Sequence, residues 1–104
     1  MKAYQITSTD GIDALASVEI EEPRPGPYEV LVRVRASSVN YRDLLTIESP
    51  EAFGIPLPRI PNSDGAGEVI EVGENVTRFK VGDRVCGTFF AKWLSGEIGA
   101  NDMN

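Results

Sequence analysis

Proline and glycine punctuate this chain so densely that only short elements fit between them. Seven prolines and ten glycines are spread over 104 residues. Three prolines stand at alternate positions, Pro23, Pro25 and Pro27, and four more fall between Pro50 and Pro61. Each proline removes a backbone donor and fixes φ, so neither stretch can be a central strand or a helix interior. The first reads as an extended connector and the second, residues 49–63, as an irregular loop.

Between these breaks the pattern is mostly β. Residues 2–7 read as a first strand and 14–20 as a second, separated by turn chemistry at Thr9, Asp10 and Gly11. Residues 29–36 (EVLVRVRA) alternate most clearly, with Val30, Val32 and Val34 on one face, expected to point to the core. Residues 65–73 and 84–90 read as two further strands, the second introduced by the Gly82-Asp83 turn. One short helix is expected over 41–48, with Asn40 as its cap, Asp43 closing a capping box, and Leu44, Leu45 and Ile47 as its apolar side. The implied fold is mainly β, a small barrel or sandwich with one or two short helices. The length suits one small domain rather than two. The ending after Trp93 carries little pattern, and residues 96–104 are expected to form a poorly ordered tail.

Charge and residue counts exclude several functions. The net charge is −6, which argues against nucleic acid and against an anionic membrane surface. No stretch approaches the ~18 apolar residues of a membrane helix, and the start has no apolar run of signal-peptide length. Cys86 is the single cysteine, so an internal disulfide framework is excluded, and a cytoplasmic protein is expected. Cys86 sits in a strand pattern and is expected to be a small buried hydrophobe. There is no histidine, which removes the commonest general base and the commonest transition-metal ligand together.

One motif is a decoy. GAGEVI at 65–70 opens like a dinucleotide fingerprint, but Ile70 holds the third glycine's place and the segment continues as a strand. Without a helix starting there, no backbone amides are presented to a pyrophosphate. Gly65, Gly67, Gly73 and Gly82 are expected to serve tight turns or close strand approach.

The same residues belong to a longer pattern. Pro61–Phe89 (PNSDGAGEVIEVGENVTRFKVGDRVCGTF), Pro23–Leu44 (PRPGPYEVLVRVRASSVNYRDL) and the opening MKAYQIT resemble the catalytic-domain signature of the medium-chain dehydrogenase/reductase superfamily. Tyr28 departs from that pattern, which usually has glycine there. The resemblance implies a GroES-like, partly open β-barrel over residues 1–95. In relatives this domain packs against a Rossmann domain that binds NAD(P), and that domain is absent from this sequence. On this reading the chain is incomplete and inactive alone.

The resemblance also implies a branch. Zinc-dependent members carry a catalytic cysteine in a C-x-x-D turn and a histidine-glutamate pair in G-H-E-x-x-G. The matching positions here are Asn40, in NYRD, and Ser63 and Asp64, in NSDGAG. Asparagine and serine are poor zinc ligands, so no zinc is expected. The pattern resembles the zinc-independent, quinone oxidoreductase-like branch, whose nicotinamide reduces a carbonyl or quinone acceptor directly; an alcohol substrate is equally open. By that resemblance Asn40 and Tyr41 are the catalytic candidates. Asn40 faces nicotinamide or substrate carbonyl, and Ser63 and Asp64 line the substrate pocket. No other cofactor contact is implied, and this chain alone is expected to bind none.

Each residue has a plainer reading. Asn40 caps the helix, Asp43 is a capping partner or accepts a salt bridge, Tyr41 packs, and Ser63 and Asp64 shape a turn. Phe89, Phe90 and Trp93 are core, or a surface that meets the missing domain. Two other functions fit the chain as a whole: a non-catalytic truncated product or binding module, and a co-chaperonin-like barrel using the loop at 48–63.

Overall fold

The computed structural model describes residues 1–92 and 94–99. Trp93 and residues 100–104 of the expected tail lie outside the described residues. The described residues are mainly β, with one α-helix and two short 3-10 turns, as expected of part of a GroES-like barrel. Two antiparallel sheets form it. In the first, β1 (Lys2–Ile6) pairs with β2 (Leu15–Glu19), with Ile6 opposite Leu15. In the second, the strand order is β3 (Val30–Ser38), β4 (Asp64–Val72), β5 (Arg84–Cys86). The helix α1 spans Tyr41–Glu48, as the sequence predicts.

Helix and first sheet share a small core. Ile6, Ala14 and Ile47 are buried together, and Leu57 packs on them from the proline-rich loop. That loop is tied to β1 by reciprocal backbone hydrogen bonds between Ile6 and Arg59, 2.8 and 3.2 Å. Fully burying a side chain of isoleucine size is worth roughly 1.5–3 kcal/mol; Ile6 in this cluster and Val69 in the second sheet are both fully buried. The loop is not wholly irregular, since Glu51–Phe53 make a 3-10 turn. Residues 11–14 are likewise a 3-10 turn, so β2 starts later than predicted.

Two strand expectations need correction. Val34 was expected in the core but is 61% exposed. The β3–β4 ladder is irregular between Val34 and Ala36, and the residue paired with Val34 is Gly67, which has no side chain to cover it. Strand β5 ends at Cys86, short of Phe90, and Cys86 is exposed instead of buried. A three-residue edge strand offers little to bury a side chain against.

The turn before β5 is closed by charge. The Lys80 ammonium lies 2.9 Å from Asp83 Oδ1, and the Lys80 backbone N–H donates to Asp83 Oδ2 at 3.0 Å. Gly82 sits between them at φ 96°, a backbone state that glycine adopts without strain. The hydrogen bond and charge of Asp83 hold the Lys80 amine above its ordinary value, and Lys80 in turn holds the Asp83 carboxyl below its own. A carboxyl whose folded value is depressed adds stability above its unfolded value, and that stability is lost as pH falls through the folded value. A raised lysine adds stability that is lost as pH rises through its folded value. The pair should therefore help across neutral pH and fail at both extremes. Asp83→Asn should flatten the acid limb of a stability-versus-pH curve, and added salt should shrink the difference. Identical acid limbs for the two proteins would contradict this.

Candidate functional site

The site forms where the end of β3, the start of α1 and the start of β4 converge. Strand β3 runs out at Ser38, opposite Asp64 in the ladder, and Asn40 follows with extended backbone before the helix begins. Asn40 and Asp43 pair as a capping box, and Asp43 Oδ2 accepts the Asn40 backbone N–H at 2.8 Å. Asp43 is nearly buried, so this carboxylate is spent on the helix start.

That anchoring sets the Asn40 side chain. Its Nδ2 donates to Asp64 Oδ2 at 2.7 Å and reaches Ser38 Oγ at 3.4 Å. The Ser38 hydroxyl also donates to Asp64 Oδ2, at 3.3 Å. Beneath them Ser37 Oγ donates to the Asp64 carbonyl at 2.7 Å and accepts from Asn62 Nδ2 at 3.1 Å. Asn62 stands at φ 75°, a left-handed state that asparagine tolerates better than most residues. The two predicted motif turns, NYRD and NSDGAG, thus meet through one short amide–carboxylate hydrogen bond.

Of the four candidates, Asn40 and Asp64 are in direct contact. Ser63 lies next to Asp64 but faces a cleft of about 260 Å³, whose walls include Arg42, Thr46, Arg59, Ser63, Phe89 and Phe90. Tyr41 is 73% exposed, so it is not a packed aromatic. Sequence reading missed Ser37, Ser38 and Asn62, because lone serines and asparagines carry no periodic signal. It also left Phe89 and Phe90 undecided between core and interface. They stack edge to face, centroids 4.5 Å apart, and Arg42 lies over Phe89 at 5.1 Å.

What the cluster can do follows from its atoms. An amide offers two hydrogens. One of Asn40's is committed to Asp64; the other makes only the long contact to Ser38. A substrate carbonyl can take that second hydrogen without breaking the first bond. A metal ion fits poorly here, because Asn40 turns N–H donors, not lone pairs, toward both nearby carboxylates, Asp64 and Asp43. Among the described residues no group of three or more carboxylate, thiol or imidazole side chains is placed to hold a metal ion. A pyrophosphate fits no better, since Gly65 and Gly67 lie within β4 and, among the described residues, no helix follows them.

Comparison with known proteins gives a consistent setting. The family described as the alcohol dehydrogenase GroES-like domain matches residues 26–100. A zinc-type alcohol dehydrogenase-like protein of Schizosaccharomyces pombe is 44% identical over 87 residues, 83% of this chain and 25% of that protein. A quinone oxidoreductase of Pseudomonas aeruginosa is 39% identical over 103 residues, 95% of this chain and 28% of its own length. Among solved structures, Escherichia coli quinone oxidoreductase complexed with NADPH superposes with a TM-score of 0.73 at 27% identity, covering 83% of this chain and 26% of that one. The chain spans about a quarter of the length of the curated relatives it matches.

Proposed function

The chain belongs to the alcohol dehydrogenase GroES-like domain family, and on that premise we propose that it builds the substrate side of a zinc-independent, NAD(P)-dependent oxidoreductase acting on a small carbonyl or quinone acceptor. The observation that carries this reading is the 2.7 Å hydrogen bond from Asn40 to Asp64. It joins two positions where zinc-dependent relatives, by the motif match, hold ligands, and it fills them with an amide donor and its anchor.

The roles divide by geometry. Asp64 and the Asn40–Asp43 capping box fix the Asn40 amide, whose remaining hydrogen makes only the 3.4 Å contact to Ser38 and would be given to the acceptor. Reduction of a carbonyl builds negative charge on its oxygen, and a preorganised neutral donor stabilises that charge. We take the cleft lined by Ser63 and Asp43 to receive the acceptor; Asn40, Tyr41 and Asp64 are not in its lining and would act from beside it. The nicotinamide supplies hydride when bound. Among the described residues no glycine turn opens an α-helix to hold its pyrophosphate, so we assign these residues the substrate side alone.

The expected result is negative for cofactor and positive for the gene. Fluorescence titration of the chain with NADPH should give no saturable change at micromolar concentrations, and the DNA beyond the codon for Asn104 should encode a strand–glycine turn–helix unit, in frame or shifted. Tight saturable NADPH binding by the chain would contradict that assignment, as would downstream DNA without such a unit.

A further inference from the structure

Two arginines, Arg42 and Arg59, belong to the lining of the cleft beside Ser63. Among the described residues neither is ion-paired with a carboxylate. The chain as a whole carries a net charge of −6, so this cationic pocket runs against its background. Arg42 is held rather than loose: its Cζ lies 5.1 Å from the Phe89 ring centroid, and Nη1 reaches Thr46 Oγ1 at 3.4 Å. Thr46 is itself fixed by donating to the Arg42 carbonyl at 2.9 Å. Most of the five guanidinium donors of Arg42 remain unused. Arg59 has its backbone pinned to Ile6 from both sides. The carboxylate in the same lining, Asp43, already accepts the Asn40 N–H at 2.8 Å. At about 260 Å³ the cleft is at the small end of ligand pockets.

We propose that this cleft selects a small carbonyl compound that bears its own carboxylate, such as an oxo acid, with Arg42 and Arg59 holding the carboxylate. The inference rests on the reading of the cleft as the acceptor site and adds the charge of the acceptor. Guanidinium groups meet carboxylates with paired N–H donors, and such charge-assisted bonds are about twice as strong as neutral ones. An ester of the same shape keeps the ketone and the carbon skeleton but forfeits that interaction.

The test is a titration of the folded, isotope-labelled chain, followed by amide NMR shifts, with 4-oxopentanoate, its methyl ester and inorganic phosphate. 4-Oxopentanoate should shift Thr46, Ser63 and Phe89 and bind at least about tenfold more tightly than the ester or phosphate. Arg42→Gln and Arg59→Gln should each cut that advantage several-fold, and the NMR spectrum itself reports whether each variant is folded. Equal binding of ester and carboxylate at those residues would overturn the charge selection while leaving the acceptor site in place. Phosphate binding as tightly as the oxo acid would also overturn it. If neither ketone shifts any cleft residue of the folded chain, the acceptor-site reading fails as well.

Discussion

Gly67→Ala should cost about 3 kcal/mol or more, enough to unfold much of a small domain whose total stability is roughly 5–15 kcal/mol. A Cβ at Gly67 would collide with the Arg33 carbonyl of the neighbouring strand and press on the Val32 side chain at 3.0 Å. The obstacle is backbone in the middle of the β3–β4 ladder, so it cannot swing aside as a flexible side chain would. Two residues earlier the outcome should be the opposite. A Cβ at Gly65 would meet Val34 Cγ1 at 3.8 Å and the Ala36 carbonyl at 3.9 Å, ordinary contacts, and Gly65→Ala should change stability by no more than about 0.5 kcal/mol. Urea melts of the two variants separate strand packing from nucleotide recognition. A dinucleotide loop would need both glycines near the phosphates; a β-ladder needs only the second. Equal losses in the two variants would contradict the strand assignment.

The same pair shows how far the sequence could be read. Rejecting the fingerprint at 65–70 required only that the segment run on as a strand, which alternation and the missing third glycine made legible. Which of its glycines is indispensable depended on how closely the Arg33 carbonyl approaches, and that distance is tertiary. Helix α1 was legible for a similar reason: Asn40 and Asp43 are a local capping pair. Its buried face was not. Asp43, Thr46 and Ile47 are the buried positions, a helical spacing of three and four, but two of them are polar and leave no hydrophobic stripe. Thr46 hides its hydroxyl on the Arg42 carbonyl and Asp43 its carboxylate on the Asn40 N–H. Leu44, assigned to the apolar side, is 42% exposed. Val34 and Cys86 were misplaced because alternation presumes a covered face, which a glycine partner and a short edge strand do not supply.

For the site, motif positions carried Asn40, Ser63 and Asp64, but not their connection. Nothing in the spacing said that the Asn40 amide would point at Asp64, or that Ser63 would turn away into a cleft shared with Arg42 and Phe89. Those are consequences of two strand ends and one helix start arriving together.

The second large effect concerns metal. Zinc affinity is set by the number of thiolate, imidazole and carboxylate ligands, and this cluster offers one carboxylate already engaged by an amide. Restoring the residue types that zinc-dependent relatives hold at the matching positions should reverse this. The double variant Asn40→Cys, Ser63→His, with Asp64 kept, should bind zinc at about micromolar affinity or tighter and release protons as it does so. Its affinity should fall with pH as the thiol and imidazole protonate. A graft that gains no affinity would mean that position 63, which lines the neighbouring cleft, cannot reach a metal held at positions 40 and 64.

The native chain gives the most direct test of the claim that the Asn40–Asp64 cluster is built around an amide donor rather than a metal. It should be equilibrated with excess zinc at neutral pH, dialysed exhaustively, and assayed for metal by mass spectrometry. The prediction is less than about one zinc per ten chains, well below the unit stoichiometry of a built site. One zinc per chain that is lost in Asn40→Ala or Asp64→Ala would contradict it.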